Sequence, residues 1–362
     1  MRYTILMRER MPKLEREEVF SRVSAEVEEG EMSELLDNAA EDVQGVVEEW
    51  VGKAKKEAQH TGVAEHKWRA LFFSPEYAAR IAKDVADARD QYCENQELNE
   101  EQVRRVKMVY AIAFLAARAA TRHELDVTRQ EYEYKELTDS LRKMALEDAH
   151  WQHELLGFIG RYHNDPLLQE GMESVWNSSY AIFTHYFKND VEMRKVKNGV
   201  LGTITAATLL ESVGISANQS SDEADVDYKV DLVGTIPRIK DKPIHLLLQI
   251  KTSMDTREPR LIYIDDKTYE LEDKERNAAE ILSRTASRYE KEQRESVLAY
   301  WVEMPSPMAT RSATGDAEDW GINPATGIPT AEYIGQYRDY MVTFLNDARA
   351  RAREKERNYA RR

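Results

Sequence analysis

The sequence predicts an α+β protein in two parts: an all-helical N-terminal domain, then a smaller domain in which helices accompany a sheet. Three observations predict it. Up to about residue 190, apolar residues recur at helical spacing, Gly and Pro are sparse and β-branched runs are absent. From there to about 310, short apolar runs bounded by turn residues alternate with helical patterns. The length of 362 residues allows two domains that each bury a core.

In chain order, Val19, Val23 and Val27, then Leu35 and Leu36, set a helical period among many acids. Ser74 and Pro75 open the next helix as N-cap and first-turn proline, with Glu76 and Asp84 among alanines. The segments starting at Leu98, Tyr134 and Asp165 continue the helical texture to residue 189. A helix from Val191 ends at Gly214, and the polar stretch SANQSSDEAD reads as a loop. Strands follow at YKVDLVGTI, IHLLLQIKTS and RLIYIDD, a long helix from Asp273, and a strand SVLAYWVEMP closed by Pro305. The second domain therefore spans 190–310. Residues 311–362 are a loop rich in Gly, Pro, Ser and Thr and a final helix, expected to pack at its start and fray at its basic end.

Composition excludes several classes. The 42% hydrophobic and 32% charged residues are those of a soluble chain, and no apolar run nears the roughly 18 residues of a membrane span. The opening MRYTILMRERMPK holds too short an apolar patch for a secretory signal. Cys93 is the single cysteine, so no intramolecular disulfide or cysteine-based zinc cluster forms, and a cytoplasmic location fits. A net charge of -15 argues against a general nucleic-acid coat or an anionic-membrane binder. It leaves room for a nuclease, since one local basic groove holds phosphates.

The strand His245–Ser253 poses the chemical question. Gln249 and Lys251 interrupt its apolar residues on alternate positions and so share a face. An edge strand with a wet face is one explanation. An active-site strand is the other. Asp231 interrupts the preceding strand in the same way, and a buried charge needs a partner or a metal. A simple Asp–Lys ion pair would also serve.

Asp231 in VDLV, followed by Gln249 and Lys251 in LQIKTS, resembles the PD-(D/E)xK nuclease superfamily. Its pattern is a helix with an acid, a strand with an aspartate, then a strand with E-x-K or Q-x-K. The helix GVLGTITAATLLESVG, with Gly202, Ala206, Ala207, Leu210 and Gly214, resembles the opening helix of Holliday-junction-resolvase-like and Mrr-like members. The resemblance covers about 190–305. It implies a restriction-endonuclease-like fold with a mixed sheet and Mg²⁺-dependent cleavage of DNA, with Mn²⁺ as substitute. It implies Asp231 as central ligand, completed by the Gln249 oxygen and the Ile250 carbonyl, and Lys251 at the attacking water or the charged transition state. Thr252 and Ser253 either touch a phosphate or cap the strand.

One position departs from the pattern. The family's helical acid follows the glycine matching Gly202, where this chain has Thr203. Glu211 is the acid further along that helix segment, about 80° round and roughly 12 Å on. Asp225 and Asp227 share a face with Asp231 if the strand begins that early, and are alternative ligands or solvated loop acids. A site with one carboxylate would bind Mg²⁺ poorly, which leaves a degenerate, non-cleaving platform for nucleic acid or protein as the alternative function. The helical domain would then recognise a target, dimerise or bind a protein partner.

Other candidates are weaker. His150, His153 and Glu154, with Glu147 and His163 near, lack the H-E-x-x-H spacing, and Trp151 points to a buried helix. His185 sits among aromatics, and Cys93 lacks a histidine partner. The basic tail either touches phosphates or pairs with Glu354 and Glu356 along its own helix.

Overall fold

The computed structural model describes residues 48–60, 75–96, 191–238, 242–253, 258–264, 271–306 and 321–360, together with scattered positions between 38 and 176. Val19, Val23, Val27, Leu35, Leu36, Glu147, Glu154, His163 and His185 lie outside the described residues, as do most of the helices expected there. Before residue 190 every regular element among the described residues is helical. Helix α1, Pro75–Asn95, meets the helical residues 48–60 through two polar bonds. Trp50 Nε1 donates to Asp84 at 2.7 Å, and the Tyr77 hydroxyl donates to Glu57.

The rest is a mixed α/β unit. Its elements are α2 (Val191–Ser212), β1 (Ser216–Gln219), α3 (Asp222–Tyr228), β2 (Leu232–Ile236), β3 (Ile244–Ser253), β4 (Arg260–Tyr263), α4 (Asp273–Gln293), β5 (Ser296–Pro305) and α5 (Ala331–Ala360). The five strands form one sheet in the order β1-β2-β3-β5-β4. β1, β2 and β3 run antiparallel in turn, β3 and β5 are parallel, and β4 is antiparallel to β5. The parallel pair needs a crossover, and α4 supplies it.

Both faces of the sheet are covered, which is why β3 and β5 are apolar almost throughout. Leu246, Leu248 and Ile250 of β3 join Leu298, Tyr300 and Val302 of β5 in the core beneath α2 and α5. The alternate residues Leu247, Val297, Ala299 and Trp301 pack against Ala279, Leu282 and Ala286 of α4. Gln249 and Lys251 alternate with the first set and so stand on the α4 face. β3 is an internal strand, so the edge-strand explanation of its polar residues fails.

Three local readings change. SANQSSDEAD is not a loop. It forms β1, whose Ala217 packs on the core, and most of α3, whose N-cap Ser221 accepts from the Ala224 amide at 3.2 Å. β2 starts at Leu232 rather than Tyr228, because α3 runs to Tyr228 and Lys229 then turns left-handed at φ 58°. The final helix does not fray early. Tyr337, Met341, Phe344, Ala348 and Ala352 carry a buried stripe along it, and Lys355 still donates to the Val297 carbonyl at 2.9 Å.

Two glycines allow close approach around α2. A Cβ at Gly202 would lie 2.0 Å from Thr252 Cγ2, so the helix rests on the end of β3. Gly327 has φ +73°, and a Cβ there would lie 2.4 Å from the Leu201 carbonyl oxygen. Its own carbonyl accepts from Thr205 Oγ1 at 2.6 Å. We predict that Gly327→Ala costs about 2 kcal/mol or more, through left-handed strain and collision with backbone. Gly335→Ala, on an open face of α5, should gain up to about 1 kcal/mol. Urea midpoints of the two variants check this, and equal shifts would overturn it.

Candidate functional site

Asp231 lies at the bend between α3 and β2, and its backbone is fixed on both sides. Its amide donates to the Leu248 carbonyl at 2.8 Å, and its carbonyl accepts from the Ser220 amide at 3.3 Å. The side chain therefore meets β3 at the Q-x-K segment. Asp231 Oδ2 accepts from Gln249 Nε2 at 2.5 Å and from the Ile250 amide at 2.5 Å. Gln249 is 4% exposed, and its Oε1 accepts no hydrogen bond among the described residues. Lys251, one residue further on that face, is exposed, with its ammonium 5.7 Å from the Trp301 ring centroid.

Burial, with the neighbouring Asp225 carboxyl, pushes the Asp231 carboxyl up to about 7. The Ile250 amide and the Lys251 charge act the other way, and burial wins. Lys251 thus acts on Asp231 by charge, while the short bonds to the carboxyl come from Gln249 and the Ile250 amide.

Asp225 arrives here on a helix, not on a strand face. The same helix is held from the N-terminal half. His153 Nδ1 lies 2.7 Å from Asp222 Oδ1, and its Nε2 lies 3.4 Å from Asp225 Oδ2. His150 Nδ1 lies 3.3 Å from Asp222 Oδ2. Arg142 Nη2 donates to Asp227 Oδ2 at 2.6 Å, so Asp227 faces away from the site, and the arginine holds its carboxyl below the usual range. Burial lowers the His153 pKa, but its bonds to Asp225 and Asp222 outweigh that and leave it raised. Trp151 is buried, as its pattern implied. Burial raises the Cys93 thiol, which disfavours the reactive thiolate.

Glu211 does not join this group. It is exposed in the last turn of α2 and lines a cavity of about 520 Å³ with Thr203, Asn218, Gln219 and Leu232. Thr203 is 7% exposed, and its hydroxyl donates to the Gly199 carbonyl of its own helix at 2.9 Å. Thr252 packs beneath Gly202, and the Ser253 carbonyl accepts from the Ser306 amide at 2.9 Å, which suits strand-end roles for both.

Among the described residues no group of three or more His, Cys, Asp or Glu side chains is arranged to hold a metal ion. Mg²⁺ takes one or two carboxylates and keeps several waters, and the oxygens at hand would give it the lower number. Asp231 supplies a carboxylate, and the Gln249 Oε1 a buried oxygen with no competing donor. Comparison with protein-family models, with curated proteins and with solved structures finds no match. Among the described residues no helix is long and apolar enough to cross a membrane.

The role of Asp225 had a faint signal in the sequence. Ser221 followed by Asp222 and Glu223 is an N-cap with an acidic first turn. Reading it as a helix would have turned Asp225 off the strand face. The pairing of His153 with that helix had no signal at all.

The raised Asp231 value sets a pH dependence. Below the ordinary aspartate range both folded and unfolded chains hold the proton. Between that range and about 7 only the folded chain holds it, so stability falls as pH rises through the window. The raised His153 value acts in the same direction, since its stabilising proton is lost as pH rises through the folded value. In chelator-containing buffer, stability should drop by on the order of 1–4 kcal/mol between about pH 5 and about pH 8. Asp231→Asn should remove most of that drop, and His153→Gln a smaller part. Urea titrations across the range check this, and an unchanged slope in Asp231→Asn would overturn it.

Proposed function

We propose that this chain is a Mg²⁺-dependent DNA endonuclease of the PD-(D/E)xK type, with a restriction-endonuclease-like domain near 190–310. The observation that carries the proposal is the clamp on one carboxyl. Asp231, at the start of β2, is held by both Gln249 and the Ile250 amide of β3, with Lys251 exposed on the same face. The order α2, three antiparallel strands, α4 and a parallel β5 further supports it, since the resemblance requires a helix, an aspartate strand, a Q-x-K strand, a core helix and a following strand.

When bound, Mg²⁺ would supply positive charge for the phosphate and acidify an attacking water. Asp231 and Gln249 would hold it. The Ile250 amide keeps the Asp231 carboxyl aimed along the sheet, and the protein around Gln249 excludes water from that side. The Lys251 ammonium, standing free of the core, orients the water or balances charge on the transferring phosphoryl group. Arg288, stacked at 4.7 Å over Tyr228 of α3, adds a cation near the same face for the backbone of a substrate.

A second reading has its own observation. Thr203 turns its hydroxyl back to its own helix where the resemblance expects an acid, which favours a non-cleaving platform for nucleic acid or protein. An assay on linear, supercoiled, branched and single-stranded DNA with Mg²⁺ or Mn²⁺ decides between them. Wild type should cut, and Asp231→Ala and Lys251→Ala should each lower the rate by about 10²-fold or more. Circular dichroism must show that both variants fold. Cutting that survives both substitutions would overturn the assignment, and no cutting on any substrate would favour the platform.

A further inference from the structure

Glu211 faces a cavity instead of the Asp231 clamp, and that cavity has a chemistry of its own. We propose that it binds a guanine base, with the Glu211 carboxylate accepting from the ring N1–H and the exocyclic amine beside it. The cavity lies on the α2 face of the sheet, whereas Gln249 stands on the α4 face. The proposal therefore goes beyond the cleavage reading and does not depend on it.

Size and shape come first. A volume of about 520 Å³ falls within the about 300–1,000 Å³ of small-molecule sites. Three parts of the chain enclose it: α2, β1 and the helical residues Leu156 and Gly157 of the N-terminal half. Ile204, Leu232 and Ile328 give it apolar wall, against which a flat ring can lie.

Charge and hydrogen bonding then narrow the ligand. Among the described residues no Lys, Arg or His lines the cavity, and Glu211 is its one charged side chain. A phosphate or carboxylate ligand would be repelled. Glu211 is exposed and has no hydrogen bond or ion pair among the described residues. The Thr203 and Thr208 hydroxyls donate to the Gly199 and Ile204 carbonyls of their own helix, each at 2.9 Å. Their protons are committed, so each offers the cavity only a lone pair. The α2 wall is thus rich in acceptors. The Asn218 and Gln219 amides of β1 supply donors on another side.

The fitting ligand is flat, with adjacent N–H groups on one edge and acceptors on another. Guanine has both. Its N1–H and amine stand side by side for a two-bond contact to a carboxylate, and its O6 and N7 accept from amides. Adenine and cytosine each place one amine beside a ring lone pair, which a carboxylate would meet unfavourably. Thymine has one N–H between two carbonyls. Leu232 in the wall directly follows Asp231, which puts the cavity one strand position from the clamp. A free nucleoside and an unpaired guanine of a strand share this chemistry.

The test is binding of deoxyguanosine to the full chain in chelator-containing buffer, read by ligand-observed nuclear magnetic resonance. Wild type should bind it about tenfold or more tighter than deoxyinosine, which lacks the amine, and than deoxyadenosine or thymidine. Glu211→Gln should weaken binding about tenfold or more, and Thr208→Val about threefold. Gly157→Leu should abolish it. A Cβ at Gly157 has room, 3.7 Å from Gln219 Nε2, and leucine favours the helix, so the larger side chain fills the cavity without unfolding the chain. Thermal unfolding checks that each variant folds. Glu223→Gln, exposed on α3, should leave binding within about twofold. A single-stranded thymine oligonucleotide carrying one guanine, compared with the same strand carrying inosine, separates the two sources. Discrimination only in the strand assigns the cavity to nucleic acid, and discrimination by the nucleoside alone assigns it to a free ligand. Equal binding of all bases in both formats, affinity unchanged in Glu211→Gln and Gly157→Leu, or no binding by wild type in either format would overturn the inference. Each of these leaves the Asp231 reading standing, because cleavage is assayed separately.

Discussion

A carboxyl taken out of water must be compensated, and in this chain that requirement ties the start of β2 to the middle of the sheet. Asp231 is only partly exposed. Its Oδ2 is met by a side-chain amide and a main-chain amide from successive residues of β3. Each bond to a group that can ionise is worth about 1.5–3 kcal/mol, and losing one would leave a buried acceptor open. The bend before β2 is therefore held in register by a side chain as well as by the ladder. The register pairs Leu232 with Leu248, so the polar pair beside it could not slip by one residue without turning Gln249 into the core under α2.

That constraint reaches outward. Because β3 is covered on both faces, a polar residue on it needs a partner supplied by another element. Asp231 serves Gln249 through its amide nitrogen and leaves the amide oxygen unserved. Lys251 avoids the problem by lying where the strand leaves the core, against the Trp301 ring. Gly202 has a complementary part, since its missing side chain lets α2 settle on Thr252 at the same end of β3. An acid on α2 at position 203 would have to share this closely packed seam, and Thr203 fits it by bonding within its own helix.

Much of this was legible in the sequence, because the strands are strongly patterned. The apolar runs of β3 and β5, the helix α4 between them and the alternation at Gln249 and Lys251 all follow from periods of 2 and 3.6. What was not legible has physical reasons. β1 is four residues with only Ala217 to mark it, and its place in the sheet comes from pairing with β2, which no local pattern encodes. α3 is seven residues, carries no buried residue and is held by its cap and by ion pairs from residues some 70 to 85 positions earlier. The length of packing along α5 was hidden because its alanines, Ala348 and Ala352, are small enough to be buried among arginines that stay partly or fully exposed.

The acids of α3 show how an acidic chain can still build a local site. Asp222 and Asp225 face His153, and Asp227 faces Arg142. All three cationic or cationisable partners, His150 included, come from the N-terminal half. Without them, Asp222, Asp225 and Asp227 would stand uncompensated on one short helix, and their like charges would repel. With them, Asp222 and Asp227 are paired from the N-terminal half, and Asp225 lies 3.4 Å from His153 Nε2. The helical half thus acts on the electrostatics of the sheet's polar cluster, not only on its surroundings. Loss of the N-terminal half would take from α3 the counter-charges that His153 and Arg142 set against Asp222, Asp225 and Asp227. The two parts of the chain are therefore joined at the point where the chemistry is concentrated, and the histidines that read as ordinary helix residues are the link.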